Sequence, residues 1–92
     1  MSLAVADGEL LRVPERVIVA PRLGVFQPRE PGTVTSEGEL VAEGDAVGVL
    51  HVSGEEVAVR SPFAGFLMGM LAHAGERVRE GQPIAWLRVL EA

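Results

Sequence analysis

Short alternating segments separated by glycine turns dominate the chain. Glu56-Val57-Ala58-Val59-Arg60 alternates polar and apolar residues with period two, the pattern of a half-buried strand. No apolar stripe of helical period runs far enough to make a helix. Residues 63–74 are apolar enough for one, but Gly65 and Gly69 inside the run weaken it.

The pattern also repeats. Residues 37–52 read EGELVAEGDAVGVLHV and residues 74–89 read AGERVREGQPIAWLRV. Seven of the sixteen positions are identical, including Gly38/Gly75, Gly44/Gly81, Leu50/Leu87 and Val52/Val89, and Val47/Ile84 is close. A second echo pairs Ala20-Pro21…Gly24 with Ser61-Pro62…Gly65. Each half thus carries a Pro…Gly strand start, two glycine turns and a closing strand. Two related all-β halves of this size predict a small, flattened barrel with quasi-twofold symmetry. The first 15 residues precede the first unit. Asp7-Gly8 is a hairpin signal there, between residues 3–6 and 9–13. Residues 1–15 therefore read as an N-terminal arm or extra hairpin, and residues 16–92 as the domain.

Composition narrows the chemistry. The 92 residues make one small domain with a net charge of −5. That charge disfavours nucleic acid and anionic membrane as partners. There is no cysteine, hence no disulfide and no thiolate metal site. The longest uncharged stretch, residues 61–75, is too short to span a bilayer. The N-terminus lacks a basic region followed by an apolar run. A cytoplasmic protein is expected. All eight basic residues are arginines, so no chemistry in this chain can use a lysine amine.

These segments, in this order, resemble a family. VIVAPRLGVFQPREPG, EGELVAEGDAVGVL, VAVRSPFAGFL and HAGERVREGQPIAWL are similar to the biotin carboxyl carrier domain of acetyl-CoA carboxylase, within the biotinyl/lipoyl group. The resemblance covers about residues 16–89 and implies a barrel-sandwich hybrid. It also implies a protruding hairpin that in the family carries biotin on the lysine of Ala-Met-Lys-Met. Here Val52-Ser53-Gly54-Glu55 falls on those four residues, Gly54 takes the lysine position, and His51 stands where the family has a glutamate. Residues 27–36 are shorter than the family's "thumb". No cofactor and no metal is expected on this chain.

Read physically, Ser53-Gly54 is a two-residue turn. It sets Val52 opposite Glu55, His51 opposite Glu56, Leu50 opposite Val57 and Gly48 opposite Val59. Opposed residues share a face. Gly48, Leu50, Val52, Val57 and Val59 then form the core face, and Val47, Val49, His51, Glu56, Ala58 and Arg60 the outer one. Trp86, at the repeat position of Val49, is expected to point outward. The family placement puts Phe66 and Met68 outward as well.

Several candidates follow. His51 with Glu55 or Glu56 could act as an acid–base pair; the plainer reading is an exposed ion pair worth under ~1 kcal/mol. His51 and His73 could hold a metal with Glu55 or Glu56, but a site needs three or four convergent ligands and nothing in the spacing brings His73 to the hairpin. Phe66, Met68 and Trp86, with Met70, could form a protein interface or a pocket, against ordinary barrel filling. The arginines could bind acyl-CoA phosphates, against simple solvation of scattered charges.

Two functions of different class remain. The first is a non-biotinylatable carrier-like protein acting by binding, as a regulatory or scaffold component of an acyl-CoA carboxylase or related fatty-acid or polyketide pathway. Its partner would be a carboxylase subunit or biosynthetic enzyme, and homo-oligomers are open. The second is a small lysine-free cyclase or isomerase using His51, Glu55 or Glu56.

Overall fold

The computed structural model describes residues 14–32, 34–35 and 38–90. The hairpin expected around Asp7-Gly8 lies outside them. Among the described residues nine strands run in order: β1 (Glu15–Val19), β2 (Gly24–Pro28), β3 (Val34–Thr35), β4 (Gly38–Val41), β5 (Ala46–Val52), β6 (Glu55–Arg60), β7 (Gly65–Met70), β8 (Arg77–Val78) and β9 (Pro83–Val89). Residues 63–74, apolar enough for a helix, hold strand β7 instead, as the glycines and the repeat require. Among the described residues no helix is long and apolar enough to cross a membrane.

The strands form two antiparallel sheets, β1-β9-β7-β4-β3 and β6-β5-β2-β8. The sheets face each other, and β1 of one lies alongside β6 of the other at a seam without ladder pairing among the described residues. This is the expected barrel-sandwich hybrid.

The repeat becomes symmetry. β5 and β9 are repeat equivalents, as are β2 and β7, β6 and β1, and β8 and β4. Each ladder then has a twin: β2–β5 with β7–β9, β2–β8 with β7–β4, and β5–β6 with β9–β1. The turns match to the hydrogen bond. Ala20 N donates to Gln82 O (2.9 Å) and accepts on its carbonyl from Gly81 N (2.8 Å); Ser61 N donates to Asp45 O (2.8 Å) and accepts from Gly44 N (2.7 Å). Among the described strands only β3 has no twin.

Both sheets fill the core. Phe26, Leu50, Val59 and Val78 come from one; Ile18, Val41, Ile84 and Leu87 from the other; all are almost fully buried. Burying each such side chain contributes about 1.5–3 kcal/mol. The buried Ser61 hydroxyl is satisfied locally, donating to Phe63 O (2.6 Å) and accepting from Phe63 N (3.1 Å).

The hairpin register is the expected one, from Val52↔Glu55 to Gly48↔Val59. One assignment is corrected. Val47 was expected on the outer face and is buried in the core. The ladder slips between Ala46 and Gly48, so a bulge breaks strict alternation at that point and turns Val47 inward.

Candidate functional site

Three places on this scaffold carry chemistry. The first is the apex of the β5–β6 hairpin. Ser53 and Gly54 both have positive φ, 49° and 83°. That is the requirement of a tight hairpin turn of the primed class, and glycine meets it without steric cost. Nothing lies within 4 Å of where a Gly54 side chain would begin, so the apex projects into open space. His51 and Glu56 flank it, with His51 Nδ1 3.9 Å from Glu56 Oε2 and both side chains well exposed (49% and 66%). Glu55 is exposed too. In solvent such a pair is weak. Among the described residues, no three His, Asp or Glu side chains converge as metal ligands, and His73 sits in a turn of its own, its N–H bonded to Glu76.

The second place is the outer face of the five-stranded sheet. Its register sets out two rows. Glu15, Arg88, Phe66 and Leu40 lie side by side across β1, β9, β7 and β4. Val17, Trp86 and Gly69 form the next row on the same face. Phe66, Met68 and Trp86, the three aromatic and thioether residues expected outward, are half-buried there. Gly69 explains how Trp86 is seated: a Cβ at residue 69 would come within 2.8 Å of Trp86 Nε1, so the indole lies directly over the glycine. Met68 falls at a slip of the β7–β9 ladder and lies against Gly38. Met70 belongs elsewhere, packed against the core. Beside Trp86 an open groove of about 460 Å³ is lined by Glu15, Arg16, Val17, Leu71 and Trp86. None of His51, Glu55 and Glu56 lines it.

The third place is a clasp under the β2–β3 connection. Glu39, only 7% exposed, accepts from Arg29 Nη2 (2.7 Å) and from Gly32 N (3.0 Å). Arg29 also donates through Nε to Ala46 O and through Nη1 to Glu30 O. A buried carboxylate is tolerable when paired and bonded in this way. The clasp pins the short segment that stands where the resemblance places a thumb.

Sequence reasoning missed Glu15, Val17, Leu40, Leu71 and Arg88 on the outer face, and the Arg29–Glu39 pair. Equivalence of β1 with β6 was the available signal for the first group, since it sets Glu15 in the place of Glu56 beside the hairpin.

No family model and no curated protein matches the chain. Solved structures do. A region of a single-chain, multi-domain long-chain acyl-CoA carboxylase matches with TM-score 0.68 and 21% identity, covering 84% of this chain and 7% of that one. An aspartoacylase family protein from Mesorhizobium loti matches with TM-score 0.62 and 26% identity, covering 83% of this chain and 24% of that one. The chain therefore corresponds to a small part of each, and the likeness establishes the fold.

Proposed function

We propose that this chain is a carrier-like domain that cannot be biotinylated and acts by binding. It takes a carrier's docking place in an acyl-CoA carboxylase, or organises a related fatty-acid or polyketide pathway, and so regulates or scaffolds it. One observation carries the reading: the hairpin that bears biotin in the resembled family is kept, with its register and open apex, while its modification position is Gly54 in a chain without lysine. Support also comes from the likeness to a region within a multi-domain acyl-CoA carboxylase. The aspartoacylase likeness is compatible with the fold serving where no carboxylase is named. In this reading Gly54 is a deliberate blank on the docking hairpin, and Phe66, Met68 and Trp86 are left to a separate contact.

The test is calorimetric titration against purified biotin carboxylase and carboxyltransferase components from the same host, with a biotinylated carrier as competitor. Micromolar binding that the carrier displaces is the expected result. No binding to any component at micromolar concentration would end the proposal.

A further inference from the structure

The symmetry of the fold supplies an internal control for the outer face of the five-stranded sheet. The outer-face residues of β1, β9 and β4, and Phe66 of β7, have twins on the outer face of the other sheet; β3 has none, and the slip at Met68 in the β7–β9 ladder has no counterpart in β2–β5. Trp86 replaces Val49, Phe66 replaces Val25, and Leu40 replaces Arg77. Val17 replaces Ala58. The fold is satisfied by valine, alanine and arginine at the twin positions; Trp86 in addition covers Gly69, where its twin Val49 stands beside Gln27. All four changes enlarge or add apolar surface, and all four fall on one sheet. Val17 and Leu40 remain 44% and 50% exposed. Contiguous apolar surface of this kind marks a contact.

Charge says what kind of contact. Glu15 and Arg88 are ladder neighbours in one row, yet no ion pair joins them or engages either among the described residues. Arg88 Nε is buried with no hydrogen-bond partner. Among the described residues no carboxylate engages its guanidinium, and an opposing carboxylate that reached the terminal nitrogens would supply one. The face thus offers one acid and one base, adjacent and unspent, beside an apolar row. A surface with both signs side by side is complementary to itself. A twofold axis running parallel to the strands, between β1 and β9, sets Glu15 against Arg88 of a second copy and Val17 against Trp86 of that copy. Such an interface is isologous, with every contact made twice, and it corresponds to sheets packed face to face.

We infer that the β1–β9 edge of this face, carrying Glu15, Val17, Trp86 and Arg88, is the contact between two copies of the chain paired back to back, with Phe66 and Leu40 beyond the overlap. The inference does not rest on the carboxylase reading: it uses the sheet face, while the Gly54 hairpin lies on the other sheet and stays available for docking.

Charge exchange tests it. Sedimentation of the full chain from about 1 µM to about 1 mM should show a concentration-dependent dimer. Glu15→Arg leaves two bases per face, and Arg88→Glu leaves two acids. Each should weaken the dimer at least about tenfold. An equimolar mixture of the two variants should recover it, because every contact in the mixed dimer is again acid to base. Val17→Asp, at an exposed position in the central row, should also break the dimer, and it serves if Arg88→Glu fails to fold by circular dichroism. A chain that stays monomeric throughout overturns the inference, and so does self-association unmoved by Glu15→Arg and Val17→Asp. Either of these leaves the carboxylase titration unaffected.

Discussion

The β5–β6 hairpin and the β9–β1 pair stand at twofold-related places, yet they are joined differently. A two-residue turn links the first, while the second pairs strands from opposite ends of the chain. Their outer residues diverge in the same way: His51 and Glu56 at the hairpin correspond to Arg88 and Glu15 at the other pair, and Val49 corresponds to Trp86. The most deeply buried inner position does not change: Leu50 and Leu87 are identical and both fully buried. Half the molecule is therefore a constraint shared by both units, and the other half is free to specialise. One unit keeps a bare projecting apex. Its twin has accumulated aromatic surface.

The severest way to test that equivalence is in the core. Leu50→Ala and Leu87→Ala should each cost about 2–5 kcal/mol, and by similar amounts, because each opens a cavity at a twin site. Urea denaturation of both would show it, and a loss confined to one would break the symmetry argument. Next comes Gly48, whose twin is Ala85. A methyl at residue 48 would approach Phe26 Cε1 to 2.5 Å and Gln27 O to 2.6 Å. Gly48→Ala should cost about 1–3 kcal/mol by overpacking. The twin of Phe26 is the smaller Leu67, so Phe26→Leu should restore part of that loss, measured as a coupling in a double-mutant cycle.

A smaller effect is expected at the apex. Replacing Val52-Ser53-Gly54-Glu55 by Ala-Met-Lys-Met puts a side chain where φ is +83°, at a cost of about 1–2 kcal/mol. The variant should still fold and should take up biotin from a biotin protein ligase, read by streptavidin blot. Absence of label on a folded variant would separate this hairpin from the carriers it resembles. Smallest is Glu56→Gln. It should shift stability by less than about 1 kcal/mol, and the difference should vanish at about 1 M salt, because the His51 pair is exposed.

Much of this was legible from residues alone, for identifiable reasons. A two-residue turn fixes register with no freedom, so the pairing from Val52↔Glu55 to Gly48↔Val59 could be written down from Ser53-Gly54. The repeat transferred that logic to Trp86. What failed was local. The slip between Ala46 and Gly48 carries no signature in a valine-rich run, and it moved Val47 from one face to the other. The Arg29–Glu39 clasp was invisible because neither periodicity nor a turn motif links those positions; the bond exists only once β4 has docked. The row of Glu15, Arg88, Phe66 and Leu40 needed four strands from distant parts of the chain, and only the ladders assemble it.

The β9–β1 ladder has one more consequence, for the order in which the molecule comes into being. The hairpin closes a local turn, an event of roughly 1–10 µs. The β9–β1 ladder ties Glu15 to Arg88 and closes nearly the whole described chain, so its entropy cost is the largest in the fold. Chains dominated by such distant pairings fold slowly. A nascent chain on the ribosome can form the hairpin while β9 is still unmade, but it cannot complete the five-stranded sheet until Val89 has emerged. The face bearing Trp86 and Arg88 therefore forms only after β9 has emerged, and Trp86 fluorescence should report the last seam to close.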